Sequence, residues 1–250
     1  MYRELYRFGG VTFALESDAP LERSPVCEAF RVPDGVPDHT ICLRFSDALP
    51  TPPTGALRRD DVFRWQAGAQ RHLLQWVSAP GDIPHFTYAV THGAHTDVIF
   101  ASAYRTGASV STALEAVGLF DVFAARGMLV LHSAYIVTRT GEAILFSGPS
   151  GIGKSTQAAL WQRCAGARVV NGDRALVDVG KKTANGIFYA GTSGISENVT
   201  APVRAIVLLG QGSENRVFVP SPQAAFAGVL SQCAYYEWDA RSAEQICLLY

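Results

Sequence analysis

One glycine-rich stretch constrains this chain more than any other, and it reads Gly148-Pro149-Ser150-Gly151-Ile152-Gly153-Lys154-Ser155-Thr156. The spacing is that of a phosphate-binding loop, in which a glycine and four residues precede glycine, lysine and a serine or threonine. Glycines let successive backbone N–H groups approach phosphate oxygens. In this pattern the lysine reaches the terminal phosphates of a nucleotide and the hydroxyl after it holds Mg²⁺. The predicted nucleotide contacts are Gly148, Ser150, Gly151, Ile152, Gly153, Lys154, Ser155 and Thr156.

The residues on either side fit the strand and the helix that such a loop requires. Residues 142–147 form a short apolar run that is typical of a buried strand. Residues 155–165 are good helix formers, and Gly166 provides a stop. The apolar face of this helix is predicted to consist of Leu160, Trp161 and Cys164. A glycine-rich surface turn is the alternative, and the strand–loop–helix context favours nucleotide binding over it.

Composition argues against several classes of protein. The chain has 250 residues, of which 48% are hydrophobic and 17% charged, and its formal net charge is −1. This is typical of a globular protein, and the charge gives no reason to bind nucleic acid or an anionic membrane. No apolar run approaches the roughly 20 residues that cross a bilayer. The cysteines form no Cys-x-x-Cys pair, which favours buried free thiols in a cytoplasmic protein over disulfides or a zinc site.

Residues 1–110 are predicted to form a smaller, β-rich, antiparallel domain, and residues 111–250 the catalytic domain. Aromatic and β-branched runs alternate with turn signals in the first of these. The runs are residues 5–15, 27–32, 40–45, 61–66, 71–77 and 86–90, and the turns include residues 33–35, 50–55 and Pro80-Gly81-Asp82. The segment 92–97, with two histidines and an aspartate, could ligate a metal. A hairpin loop is the simpler interpretation, because no fourth ligand is evident.

A long apolar run leads into the loop region. A helix that opens with a capping box at residues 112–115 is predicted to end at Gly127. Residues 128–137 follow as a buried strand that is interrupted by His132 alone. The link through residues 139–141 is too short for a parallel crossover. The two strands it joins are therefore predicted to be antiparallel neighbours in a mixed sheet.

The segment after the loop helix carries a candidate catalytic carboxylate. It predicts a strand, a break at Asn171-Gly172-Asp173 and a second strand. An aspartate at the end of an apolar strand near a phosphate loop can bind the metal or accept a proton. A plain turn aspartate is the alternative, since Asn-Gly-Asp forms a turn by itself. Proximity to the loop favours function, so Asp173 is predicted to be catalytic and, with Ser155, to ligate Mg²⁺.

The remaining sequence predicts a second glycine- and serine-rich loop, a strand and two helices. The loop is residues 190–198, and the strand is residues 205–209. One helix starts at Ser221-Pro222, and the other opens with a capping box at residues 242–245. The apolar face of the first is predicted to hold Phe226, Val229, Leu230 and Cys233. Because the chain stops on apolar positions, we expect the natural protein to continue past Tyr250.

Three motifs together resemble the catalytic domain of bacterial HPr kinase/phosphorylase. They are Leu131-His132 on a strand, the Gly-x-Ser-Gly-Ile-Gly-Lys-Ser loop, and Val169-x-x-x-Asp173, and the resemblance covers roughly residues 128–210. It implies an α/β fold with a P-loop and a mixed β-sheet of the phosphoenolpyruvate carboxykinase type. It also implies that the loop binds Mg-ATP, that Asp173 acts on a seryl hydroxyl of a small carrier protein, and that His132 supports the site.

The chain departs from that family in three places. Gly172-Asp173 stands where the family has paired aspartates, so one carboxylate is missing. The family's Val-Arg-Pro-Gly-Arg-Asn motif is absent, and residues 192–198 are followed here by Pro202-Val203-Arg204. The N-terminal domain also differs. The chain is more similar to the HPr-kinase-related proteins of modified-peptide (lasso-peptide-type) gene clusters, some of which phosphorylate a serine of a precursor peptide.

These features lead to three functional hypotheses. The first is an ATP- and Mg²⁺-dependent kinase that phosphorylates a serine-type hydroxyl of a peptide or protein, with Lys154, Asp173 and His132 as catalytic residues. The second replaces the acceptor with a small-molecule alcohol, because nothing in residues 1–110 indicates a peptide groove. The third is a nucleotide-binding regulatory module without transfer activity, which the missing carboxylate allows. The sequence leaves a homo-oligomer open.

Overall fold

The computed structural model of the chain is α/β with mixed sheets and describes residues 1–48, 50–76 and 86–249. Contacts divide the chain into two compact units. Unit 1 holds Met1–Leu119 and Glu237–Ala240, and unit 2 holds Phe120–Tyr236 and Arg241–Tyr250. The turn predicted at Pro80-Gly81-Asp82 lies outside the described residues.

The described part of unit 1 contains one sheet, two short helices and a 3₁₀ turn. Its strands are β1 (Tyr2–Phe8), β2 (Val11–Ser17), β3 (Arg31–Val32), β4 (His39–Phe45), β5 (Leu57–Arg59), β6 (Val62–Ala67), β7 (Gln70–Trp76), β8 (Phe86–His92) and β9 (His95–Phe100). The helices are α1 (Pro25–Glu28) and α2 (Val110–Glu115), and the 3₁₀ turn is Ser102–Arg105. The strand order is β3-β1-β2-β4-β9-β8-β7-β6-β5.

The prediction of an antiparallel N-terminal domain is wrong for the middle of this sheet. Strand β4 pairs in parallel with both β2 and β9. A parallel neighbour needs a long crossover, and here α1 and β3 lie between β2 and β4, while β5–β8 lie between β4 and β9. The run at residues 5–15 is two strands rather than one, because Gly9 and Gly10 turn the chain with φ of 57° and 86°.

The rest of the described chain supplies six strands, four helices and a second 3₁₀ turn. The strands are β10 (Met128–Val137), β11 (Ala143–Ser147), β12 (Arg168–Asn171), β13 (Arg174–Asp178), β14 (Thr183–Asn185) and β15 (Thr200–Leu208). The helices are α3 (Leu119–Ala124), α4 (Lys154–Ala165), α5 (Pro222–Leu230) and α6 (Ala240–Cys247), and the turn is Gly191–Ser193. None of the helices in the described residues is long and apolar enough to cross a membrane.

Five of these strands close into a barrel in the order β10-β11-β15-β14-β13. Strand β12 pairs with the second half of β10, beyond the half that pairs with β13. The predicted antiparallel pairing of β10 and β11 is confirmed. The predicted mixed sheet is also present, since β11 and β15 run in parallel.

The continuous apolar sequence of β10 is explained by burial on both of its faces. Leu131 and Tyr135 belong to one core cluster, which also contains residues of β11, β12 and β13. Ala134 and Ile136 belong to a second cluster, which contains Ala158 of α4. A strand covered on both faces loses the usual alternation of polar and apolar residues. This strand forms the centre of unit 2.

Two predicted helix features are wrong, and a third is wrong in part. The capping box lies at Ser109 and Thr112, and the helix ends before Gly118, where φ is 68°, so that α2 and α3 are separate. Ser242 lies inside α6, where its hydroxyl donates to Asp121 Oδ1 at 2.9 Å, and does not cap the helix. In α4 the buried residues are Lys154 and Ala158. Trp161 of the predicted apolar face is half-buried against a core cluster, whereas Cys164 is exposed.

The predictions for the other helix ends are confirmed, and those for the cysteines are confirmed in part. Gly166 ends α4 with φ of 64°, and Ser221 caps α5 by accepting from the Ala224 N–H. All five cysteines are free. Cys27 is buried as predicted, but Cys164 and Cys247 are exposed, so the prediction of buried thiols is wrong for these two.

Candidate functional site

Residues 148–153, the glycine-rich loop, connect β11 directly to α4. Gly148, Gly151 and Gly153 have φ of 142°, 78° and 111°, values that favour glycine. A Cβ at Gly148 would lie 3.3 Å from the Leu209 carbonyl oxygen, so a side chain at this position would crowd that backbone. The loop therefore packs tightly against the end of β15, and its other end leads into the positive N-terminus of a twelve-residue helix.

Lys154 is folded back into the glycine-rich loop. Its side chain is only 7% exposed, and Nζ donates to the Gly148 and Pro149 carbonyl oxygens at 2.8 and 3.0 Å. Burial lowers the pKa of Lys154, and the negative charge of Asp173 opposes this effect. The nearby residues Ser150, Gly151, Ser155 and Thr156 are exposed, while Ile152 and Gly153 are half-buried. The loop thus holds a buried cation next to an exposed backbone surface.

The lowered pKa of Lys154 predicts an unusual dependence of stability on pH. Between that pKa and the ordinary value of 10.5, the unfolded chain binds more protons than the folded chain. The free energy of unfolding should therefore rise with pH through this window. Relative to Lys154→Met, the wild-type chain should become more stable as the pH rises towards 10.5. Urea unfolding of both chains across this range measures the difference, and a constant or falling difference would contradict the prediction.

Strand β10 connects the glycine-rich loop to the segment that carries Asp173. On one side, the Ser147 hydroxyl, which directly precedes the loop, donates to the His132 carbonyl oxygen at 2.8 Å. On the other side, the Ser133 N–H donates to the Asp173 carbonyl oxygen at 2.9 Å. Neighbouring strands lie about 4.8 Å apart, so the two segments are separated by roughly 10 Å. Side chains from both segments can therefore reach the same small group.

The break between β12 and β13 is shaped by Asn171 rather than by Asp173. The buried Asn171 side chain accepts at 2.9 Å from each of the Asp173 and Arg174 N–H groups. Its amide donates to the Ile187 carbonyl oxygen at 2.7 Å. The asparagine side chain therefore forms the turn, and the Asp173 carboxylate is directed to other partners.

The Asp173 carboxylate lies between two cationic or ionisable side chains. His132 Nε2 is 3.5 Å from Oδ1, and Arg174 Nε is 3.3 Å from Oδ2. The contact with His132 lowers the pKa of Asp173 most strongly, burial opposes it, and the charge of Arg174 lowers the pKa further. Asp173 is therefore an anion at neutral pH. The structure brings His132 and Asp173 into contact. The charge of Asp173 also acts on Lys154, so the two predicted residues interact with the glycine-rich loop.

No protein-family model matches this chain, and no curated protein matches it. The resemblance described above therefore depends on the motif residues themselves.

Three aromatic rings near Asp173 were not indicated by the sequence. Phe120 lies 5.8 Å from Tyr189 and 6.2 Å from Tyr236, measured between ring centroids. The guanidinium of Arg174 lies over the rings of Phe120 and Tyr189. These residues are far apart in the chain and belong to no local motif, so only the fold brings them together.

The predicted hairpin at residues 92–97 is confirmed, since His92 and His95 are opposite each other in the β8–β9 pair. His95 Nε2 is 3.4 Å from Asp97 Oδ1, which is a surface contact. Among the described residues, no group of three or more His, Cys, Asp or Glu side chains could hold a metal ion.

Gly191 offers a direct way to displace Asp173. It has φ of 54°, and a Cβ there would lie 2.8 Å from both Cβ and Cγ of Asp173. Under the kinase hypothesis, we expect Gly191→Ala to lower phosphoryl transfer by up to about 10²-fold through misplacement of the carboxylate, while ATP binding is kept. The matched control is Gly194→Ala, where φ is 64° but nothing lies within 4 Å of the new Cβ. Equal activity of the two variants in a steady-state assay would show that Asp173 need not be held in this place.

Proposed function

We propose that this chain is an ATP- and Mg²⁺-dependent kinase that transfers the γ-phosphoryl group to a serine-type hydroxyl of a peptide or protein. The observation that carries the proposal is the placement of Asp173 across β10 from the glycine-rich loop, where its charge acts on Lys154. A phosphate site and an ionised carboxylate on opposite sides of one strand are the two parts that phosphoryl transfer to a hydroxyl requires.

The nucleotide half of the site uses the glycine-rich loop and α4. Exposed backbone N–H groups and the positive helix end would bind the phosphates. Lys154 would exchange its bonds with the Gly148 and Pro149 carbonyls for bonds with phosphate oxygens, which are stronger acceptors. The exchange would also offset the cost of burying its charge.

The residues present fit a magnesium ion that arrives with the nucleotide. Ser155 is exposed on the first turn of α4, and Asp173 is a nearby carboxylate, so the chain would offer a hydroxyl and a carboxylate oxygen. Mg²⁺ is usually held by one or two protein groups together with phosphates and water, rather than by a full cage of side chains. When bound, it would neutralise charge on the phosphate oxygens.

The acceptor half of the site uses Asp173 and His132. The seryl hydroxyl oxygen would form a bond to the γ-phosphorus while the bond between that phosphorus and the leaving ADP breaks. Asp173 would accept the proton that the hydroxyl loses. The contact with His132 would hold Oδ1 in place. Because the pKa of Asp173 is lowered, the carboxylate is deprotonated throughout the neutral range, as a proton acceptor must be.

One observation favours a second candidate, a nucleotide-binding regulatory module. Gly172 replaces the first of the paired aspartates of the resembling family, and a Cβ there would lie 2.2 Å from Ser193 Oγ. A side chain at this position would therefore require Ser193 to move. A site with one carboxylate can bind nucleotide without transferring its phosphate.

Incubation with γ-labelled ATP separates these candidates. The acceptors are a serine-containing peptide, the same peptide with alanine in place of serine, and a small alcohol, each tested with the wild-type chain and Asp173→Asn. The proposal predicts label on the serine peptide alone, with loss of labelling in Asp173→Asn. Label on the alcohol would assign a small-molecule acceptor, and ATP binding without any transfer would favour the regulatory module.

A further inference from the structure

Arg174 is held in a fixed orientation beside Asp173 at the start of β13. Its Nε–H faces Asp173 Oδ2 at 3.3 Å. Its guanidinium carbon lies 5.8 Å from the centre of the Phe120 ring and 5.2 Å from that of Tyr189. Contacts of this kind between a cation and an aromatic face are attractive. A carboxylate and two rings thus restrict a side chain that is normally flexible.

The terminal amino groups of Arg174 are suited to bind an anionic ligand. The side chain is 30% exposed, and within the described ranges only Nε has a hydrogen-bond acceptor in the protein. The two terminal nitrogens carry four N–H groups in a planar fork, which matches the oxygens of a phosphoryl group. Because the guanidinium is already held in place, little side-chain entropy would be lost when its fork binds an anion.

The guanidinium of Arg174 lies next to the carboxylate that is proposed to accept the proton during phosphoryl transfer. The charge of Asp173 acts on Lys154 of the glycine-rich loop, and the same carboxylate pairs with Arg174 at 3.3 Å. A phosphoryl group that passes from the loop to a hydroxyl beside Asp173 comes close to the guanidinium that contacts this carboxylate at 3.3 Å. Negative charge on its three equatorial oxygens is what arginines in phosphoryl-transfer enzymes stabilise.

We propose that Arg174 is a further catalytic residue, whose terminal amino groups bind the phosphoryl group during its transfer. The inference rests on the proposed function, because it needs a nucleotide in the glycine-rich loop. Phe120 and Tyr189 are positioning residues that hold the guanidinium. The competing explanation is that Arg174 only holds Asp173 in place, and this can be distinguished experimentally.

The test uses Mg-ADP with aluminium fluoride, which mimics the phosphoryl group in transfer. Arg174→Met keeps a long side chain against the rings but removes the charge, and Arg174→Lys keeps the charge but removes the fork. The matched control is Arg204→Met, whose side chain is 71% exposed on β15. Binding of ADP is measured by calorimetry with and without fluoride, and thermal unfolding checks that each variant folds.

We expect fluoride to tighten ADP binding in the wild-type chain and in Arg204→Met. The tightening should be lost in Arg174→Met and reduced in Arg174→Lys, while ADP binding alone changes by less than about three-fold. With an acceptor present, kcat of Arg174→Met should fall roughly 10³-fold with little change in KM for ATP. If Arg174→Met does not fold, the reduced tightening in Arg174→Lys carries the test.

Two results would overturn this inference alone. One is that fluoride tightens ADP binding in the folded Arg174 variants as much as in the wild type. The other is that the wild-type chain binds ADP but fluoride does not tighten the binding. A wild-type chain that binds no ADP would overturn the proposed function, and this inference with it.

Discussion

Lys154→Ala is expected to lose phosphoryl transfer by roughly 10²- to 10³-fold, because it removes the cation that stabilises charge on the transferring group. ATP binding should weaken by about 10- to 100-fold, which corresponds to the loss of one charge-assisted hydrogen bond. The fold should survive, since within the described residues the hydrogen bonds of Nζ go to carbonyls of its own loop. Steady-state rates and ATP titration by calorimetry measure the two effects, and circular dichroism checks the fold.

Lys181→Ala is the matched control for this variant. Its ammonium pairs with Asp178 at 3.0 Å and its side chain is 71% exposed, so it lies outside the glycine-rich loop. Its transfer rate and ATP affinity should be those of the wild type. A well-folded Lys154→Ala chain with wild-type transfer would refute the assignment of the glycine-rich loop as the nucleotide site.

Asp173→Asn is expected to lower transfer about 10²- to 10⁴-fold, because an amide cannot accept the proton of the hydroxyl. His132→Ala should lower it less, by up to roughly 10²-fold, since Asp173 remains present but loses the contact at 3.5 Å that orients it. Rates of both variants at saturating Mg-ATP, with the same acceptor, provide the comparison.

The double variant tests whether these two side chains act as one unit. If His132 acts only through Asp173, then adding His132→Ala to Asp173→Asn should cost little more than Asp173→Asn alone. Independent, multiplicative losses would show that His132 has a separate role. A nearly active Asp173→Asn chain would show that the proton acceptor lies elsewhere.

The part of the fold around the glycine-rich loop could be predicted because its signals are local. Strand β10 has the predicted bounds, since residues buried on both faces form a continuous apolar run that ends at recognisable turns. The short link through residues 139–141 permits only an antiparallel neighbour, and the structure has one. The break between β12 and β13 was likewise visible in Asn171-Gly172-Asp173.

Pairing between distant strands could not be predicted in the same way. The parallel position of β4 between β2 and β9 depends on which long connections cross the sheet, and no residue of β4 specifies its neighbours. Strand β14 was missed because Thr183–Asn185 is too short to show a period. The barrel closes through this strand, so its closure could not be predicted either.

The candidate site shows the same division between local and distant signals. The glycine-rich loop, His132 and Asp173 lie in motifs and were selected from the sequence. Phe120 and Tyr189 were not, because they reach Arg174 only through folding. The helix predicted up to Gly127 failed for a local reason, since Gly118 adopts a positive φ that interrupts it.

The most direct test of the account is a crystal structure of the chain with Mg²⁺ and a non-hydrolysable ATP analogue. The account predicts that the β- and γ-phosphates lie on the N–H groups of residues 148–154, with Lys154 Nζ bonded to them in place of the Gly148 and Pro149 carbonyls. Asp173 should face the γ-phosphorus from the side opposite the leaving ADP, with room between them for a hydroxyl. A nucleotide bound elsewhere, or an Asp173 carboxylate directed away from the γ-phosphate, would contradict it.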